Sequence, residues 1–171
     1  MRIAITVVGH DRPGIVADVT GALAAHGGNI EDSSMTLLRG HFVWTLLVET
    51  DATDTVLEQT LAPLRRPELM ISALRLPADE SGGIGPSTAF FLSVHGADRT
   101  GIVAAITRVI ADAGGNLTNL TTRLAGGLYV VGADVDLPLG VDVDSVCARL
   151  AAVAGELGVT AHLRPVDSDI L

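Results

Sequence analysis

Gly9–Asn29 reads GHDRPGIVADVTGALAAHGGN, and Gly96–Asn116 reads GADRTGIVAAITRVIADAGGN. Twelve of these twenty-one positions are identical at a constant offset of 87 residues, and three of the nine differences are apolar exchanges such as Val19/Ile106. A period this long, seen twice, indicates two copies of one small domain and not a solenoid. The identities concentrate in Asp, Arg, Gly and Asn, residue types outside a core, so the copies share a site as well as a scaffold.

Working outward from the repeat gives the same element order in each copy. Arg2–Val8 is a β-branched run ending at Gly9. Ile15, Val19, Ala22, Leu23 and His26 then recur at helical spacing until Gly27-Gly28. Asn29–Leu38 is a polar strand turned by Arg39-Gly40 into the alternating Phe42, Trp44, Leu46 and Val48. A helix over Asp51–Leu64, opened by Asp/Thr caps, and a strand over Leu69–Leu76 close the unit. The second copy predicts strands Thr88–Val94, Asn116–Leu124, Leu128–Val135 and Val159–Val166, with helices Gly101–Ala113 and Val141–Leu157. The fold class is therefore α+β, two ferredoxin-like β-α-β-β-α-β units, each a four-stranded antiparallel sheet with two helices on one face. The expected organisation is 1–76, a Gly/Pro/Ser linker 77–87, 88–166 and a short tail 167–171. Leu74 and His162 are expected near equivalent positions, a slip of about one residue from the 87-residue offset.

Bulk properties narrow the function. Units of roughly 80 residues bury too little surface to be robust alone, so tandem packing or dimerisation is expected. The net charge is −9, with no lysine and eleven arginines, which opposes a phosphate backbone. Cys147 is the only cysteine, excluding an internal disulfide and a cysteine-rich zinc site; it is expected as a small buried hydrophobe in a helix. No apolar run approaches the ~20 residues of a membrane span, and Met1 leads straight into a strand pattern, so the cytoplasm is the expected location.

The repeated constellation is strand–Gly–x–Asp–Arg–x–Gly–Ile–Val–helix, with Gly-Gly-Asn opening the next strand. Asp11 and Asp98 are expected as N-caps and Pro13 in the first helical turn. Gly14 and Gly101 leave room for a ligand at the first free amides, which attract a carboxylate or phosphate. Asn29 and Asn116 are expected beside that loop or across a subunit contact. Caps and turns alone account for each residue singly; their joint repetition favours a ligand or an interface. Arg12 and Arg99 are required by neither cap nor turn, and a surface salt bridge would also explain them.

This combination, D-R-P-G-I-V at the first strand–helix junction and G-G-N-I at the next, resembles an ACT domain over nearly the whole chain, as two copies. The tandem arrangement is similar to the glycine cleavage system transcriptional repressor family. The resemblance implies an amino-acid-sensing regulator acting through protein partners, with the effector at an interface between two units. Carried over, the ligand residues are Asp11, Arg12, Gly14, Ile15 and Asn29, then Asp98, Arg99, Gly101, Ile102 and Asn116. Thr100 departs from the usual proline. A homodimer and a protein partner are expected, with no direct nucleic-acid contact, no membrane, no cofactor, no metal and no catalysis. Formyltetrahydrofolate deformylases share the N-terminal pattern, but their catalytic portion requires far more chain. Gly9–Gly14 has the glycine spacing of a phosphate loop, yet Ile15-Val16 stands where Lys-Ser/Thr is required. The five histidines show no paired ligand spacing in the sequence.

Overall fold

Alternation along the first strand decides which way the sheet faces. In β1 (Arg2–His10), Ile3, Ile5 and Val7 are fully buried, while Ala4, Thr6 and Val8 are only half-buried. The computed structural model describes residues 1–77 and 85–166, which fall in two compact units divided near Ser81. The expected tail and most of the expected linker lie outside the described residues.

The first unit continues with α1 (Ile15–Ala24), β2 (Asn29–Leu38), β3 (His41–Glu49), α2 (Asp54–Leu61), a 3-10 turn over Ala62–Leu64 and β4 (Leu69–Arg75). The sheet order is β2-β3-β1-β4, antiparallel throughout. Ile15, Val19 and Leu23 of α1 and Leu57 and Leu61 of α2 cover Ile5, Val7, Phe42, Trp44, Leu46, Val48 and Ile71. Burying each such side chain stabilises the unit by about 1.5–3 kcal/mol. Phe42 and Trp44 meet edge to face, ring centroids 6.1 Å apart, so the sole tryptophan is a core residue.

The second unit repeats this plan with β5 (Ser87–Ala97), α3 (Ile102–Asp112), β6 (Asn116–Ala125), β7 (Leu128–Pro138), α4 (Val143–Leu157) and β8 (Val159–Pro165), in sheet order β6-β7-β5-β8. Each unit is a ferredoxin-like α+β fold with both helices on one face of its sheet. Thr53 caps α2 by accepting the Val56 amide, and Asp142 caps α4 by accepting the Ser145 amide at 3.1 Å. Arg39-Gly40 and Gly126-Gly127 form the two-residue hairpins, all four residues at positive φ. Both β2 and β6 carry a bulge, at Glu31 and Thr118, at equivalent places near their starts. Glu31 there meets Arg2 at 2.7 Å.

The offset of 87 holds through the hairpins, since Phe42 and Tyr129 occupy the same place against β2 and β6. It does not hold to the end with a one-residue slip. Leu74 faces Ala4 as Arg164 faces Phe91, an offset of 90. The longer α4 takes up the difference: fifteen residues against eight plus one 3-10 turn. Cys147 lies on α4 as expected but is half-buried, not buried.

Arg65 locks the end of the α2 arm to β4. Its Nε donates to the Ile71 carbonyl at 2.8 Å, and its guanidinium grips both carboxylate oxygens of Glu58. The hydrogen bonds from Arg65 hold the Glu58 carboxyl below the usual glutamate range, and burial opposes them only in part. Glu58 in turn raises the Arg65 guanidinium.

Candidate functional site

Each β1–α1 and β5–α3 junction is built around a glycine that begins the helix. Gly14 has φ 92 and ψ −7, and Gly101 has φ 96 and ψ −5, the angles of the third residue of a type II turn. L-residues avoid this left-handed region, so glycine is required by the backbone itself. Gly14 and Gly101, not Asp11 and Asp98, therefore occupy the N-cap positions, and neither helix has a side-chain cap. Pro13 lies in the turn ahead of α1 instead of in its first turn. The first intrahelical bonds run from Asp18 N to Gly14 O at 2.8 Å and from Ala105 N to Gly101 O at 2.9 Å. That leaves the amides of Ile15, Val16 and Ala17, and of Ile102, Val103 and Ala104, without intrahelical acceptors.

The repeated glycine at the end of the first strand has a different cause. A Cβ on Gly9 would stand 2.1 Å from the Glu68 carbonyl oxygen, and one on Gly96 would stand 2.7 Å from Val159 Cγ1. These glycines permit close crossing by β4 and β8. Their identity in the two copies is structural.

Beside the first junction lies a groove of about 470 Å³ lined by Asp11, Arg12 and Gly14–Ala17, with Met35, Leu37 and Phe42 forming its far wall. It exists because β2 is an edge strand that α1 does not cover: Met35 is 51% and Leu37 53% exposed on the helix side of the sheet. Asp11 is held there by its amide, which donates to Gly40 O at 3.2 Å. Arg12 Nη2 meets Asp18 Oδ2 at 2.9 Å, so the arginine makes the surface salt bridge that the sequence left as one alternative. In the second copy Ala105 replaces Asp18, and the guanidinium of Arg99 lies beside Gly158 at the end of α4 instead.

The asparagines stand elsewhere. Asn29 pairs with Glu49, which pairs with Arg2, whereas the loop follows His10 and its partner His41. Eight steps of β1 separate the two ends, roughly 27 Å. Asn116 is placed in the same way opposite Asp136, and it lines a groove of about 430 Å³ with Thr107, Arg108 and Gly115 at the far end of α3. The expectation that Asn29 and Asn116 sit beside the first loop of their own unit is thus corrected: α1 and α3 each start at one end of the sheet and hand the chain back at the other. The structure brings together Asp11, Arg12, Gly14 and Ile15, with Met35, Leu37 and Phe42 added. Only β2 register, not composition, discloses those three.

Register also assembles histidines that the sequence keeps apart. His10 and His41 are direct cross-strand partners with ring centroids 5.0 Å apart, and His95 and His162 are diagonal neighbours at 6.2 Å. Among the described residues, no group of three metal-ligating side chains forms, and no helix is long and apolar enough to cross a membrane.

The family model of the ACT domain matches residues 1–69. The crystal structure of an unknown protein from Galdieria sulphuraria is 33% identical and superposes with a TM-score of 0.76, covering 97% of this chain and 98% of that one. The chain belongs to the ACT-domain family. Its ACT units share further sequence with a UPF0237 protein of Methanopyrus kandleri, 49% identical over 53 residues, 31% of this chain and 59% of the relative. The glycine cleavage system transcriptional repressor of Escherichia coli K12 is 36% identical over 67 residues, 39% of this chain and 35% of that protein. The chain thus spans less than two thirds of either curated relative.

Proposed function

We propose that the chain is a small-molecule-sensing regulatory protein without catalysis of its own, whose effector is a free amino acid or a similar small carboxylate. The observation that carries this is the pair of junctions where three free amides open a helix behind a left-handed glycine. In the first copy an apolar groove, able to take an aliphatic or thioether side chain, adjoins those amides. The amides and the helix dipole favour the carboxylate. Asp11 carries the charge to meet an ammonium group.

Asn29 joins this site only from another unit. Antiparallel pairing along the exposed β2 edge lays the start of one strand against the end of its partner, which brings a second Asn29 toward the Asp11 loop. The protein accordingly works as a homodimer at least, and the effector favours one arrangement through its different affinity for the two. Regulation of amino-acid metabolism, or of its transcription, then runs through a protein partner, because the −9 charge opposes DNA.

Thermal shift and calorimetry against the twenty amino acids, glycine included in view of the Escherichia coli relative, test this directly. Effector at 100 times its Kd stabilises the protein by about 2.7 kcal/mol. Asn29→Ala and Asn116→Ala are expected to weaken the response and leave the unfolding midpoint without ligand unchanged. No heat and no shift with any amino acid would leave an interaction module, and sequence-specific DNA binding by the protein alone would refute the partner-mediated route.

A further inference from the structure

An antiparallel sheet that packs helices on one face ordinarily keeps its other face polar. The two units allow that rule to be checked row by row, because their strands pair in the same register. In the second unit the three central rows of the open face hold Phe91, Asp134 and Arg164, then Ser93, Gly132 and His162, then His95, Val130 and Thr160, with Asn119, Thr121 and Arg123 at the β6 rim. Ions and histidines are spread across it, and the aromatic ring of Phe91 lies over Gly132. The same rows of the first unit hold Ala4, Leu47 and Leu74, then Thr6, Thr45 and Ser72, then Val8, Val43 and Met70. Their only charged side chain is Asp32, at the β2 rim. Leu74 is 66% exposed, Met70 62% and Leu38, at the corner, 56%.

We propose that this open face of the first unit is a dimerisation surface, occupied by the same face of a second copy of the chain. Position for position, Leu47 replaces Asp134, Leu74 replaces Arg164, Thr36 replaces Arg123 and Val8 replaces His95, while Asp32 in place of Asn119 is the one charge gained, so the loss of charge is confined to one copy of one scaffold. Exposed apolar side chains in two rows, with a row of uncharged hydroxyls between them, mark an interaction site. Its chemistry selects the occupant. A partner presenting charged groups would have them desolvated with no counter-charge to meet. A second copy brings a surface equally poor in charge, and an isologous contact needs only that the patch complement itself. For a chain of net charge −9, a face whose three central rows carry one carboxylate, Asp32 at the rim, is also where two copies approach with little repulsion. Four strands about 4.8 Å apart and nine residues at about 3.4 Å, which take in the Arg2–Glu49 and His10–His41 rows as a polar rim, give roughly 580 Å² a side, or on the order of 1,200 Å² in all. That is the lower end of a stable interface, so the dimer is concentration-dependent. Stacked sheets lie about 10 Å apart, which lets Leu47, Met70 and Leu74 interdigitate across the axis.

Sedimentation of the full chain from low micromolar to near-millimolar concentration tests the surface without any effector. The wild type is expected to pass from monomer to dimer over this range. Met70→Glu with Leu74→Glu is expected to raise the dissociation constant about 100-fold, as unpaired charges enter the contact. Thr160→Glu, at the position equivalent to Met70 in the second unit, is expected to leave it unchanged. Circular dichroism establishes that the variants fold; should the glutamates prevent folding, Met70→Thr with Leu74→Thr makes the same comparison at about 10-fold. A wild type that stays monomeric overturns the proposal. So does a dimer that survives the Met70 and Leu74 variants and dissolves when Thr36→Pro blocks the β2 edge, since association would then run along the edge and not across the face.

Discussion

Gly9→Ala asks whether the first glycine of the repeated motif serves the backbone or a ligand. The added Cβ would stand 2.1 Å from the Glu68 carbonyl oxygen and 2.9 Å from Leu69 Cα, both main-chain atoms that no side-chain rotation can move aside. Ordinary contact requires the start of β4 to retreat by roughly 1 Å, and overpacking of this kind costs about 1–3 kcal/mol. The retreat also strains the bond from His10 N to Glu68 O, 3.0 Å long in the native chain, which adds about 1 kcal/mol. A total of about 2–4 kcal/mol in a unit of this size lowers its midpoint by roughly 10–25 °C. Differential scanning calorimetry and urea unfolding of Gly9→Ala, beside Gly96→Ala, measure it. The second substitution meets Val159 Cγ1 at 2.7 Å and Val159 Cα at 2.9 Å, less severe than 2.1 Å to a carbonyl oxygen, and is expected to cost less. An unchanged midpoint for Gly9→Ala, or a larger loss for Gly96→Ala, would refute the close-approach explanation.

At the next glycine the cost is conformational. Gly14→Ala and Gly101→Ala place a Cβ in left-handed backbone and are expected to destabilise by about 1–2 kcal/mol each, with Gly14→Asn milder than Gly14→Ala in urea titrations. The Glu58–Arg65 pair sets a pH dependence. The folded Glu58 pKa lies below its unfolded value, so the pair's contribution is complete above the unfolded glutamate pKa and is lost as pH falls through the folded one. Carboxyl NMR should find Glu58 titrating below the ordinary glutamate range, and Arg65→Ala should bring it back up. A Glu58 that titrates at the ordinary value in the wild type would remove this prediction.

Much of the fold was legible because its signals are local. Alternation in Phe42–Val48 and helical spacing from Ile15 to Leu23 report burial directly, and the β2 boundaries Asn29–Leu38 agree with the sequence reading to the residue. The candidate site was legible in type but not in place. Asp11 looked like a cap because Asp favours caps, yet a glycine at φ 92 had already displaced the helix start by three residues. The separation of Asn29 from Asp11 is a property of strand register, to which eighteen residues of sequence spacing give no guide. Met35 and Leu37 read as unremarkable members of a polar strand, and they matter only because α1 stops short of covering β2. The histidine pairs escaped notice for the same reason, being neighbours across strands and strangers along the chain.

The bulges at Glu31 and Thr118 determine how much of each outer strand another strand can match. An extra residue breaks the regular spacing of outward N–H and C=O groups, so an uninterrupted ladder on the free edge is confined to Asp32–Leu38 in one unit and Asn119–Ala125 in the other. Seven residues span about 24 Å, and only every second one turns its polar groups outward. At about 0.5–1.5 kcal/mol for each net hydrogen bond, strand addition there contributes only a few kcal/mol. Such a short edge supports docking that reverses readily, whereas a flat edge without the interruption would present a template for continued strand addition.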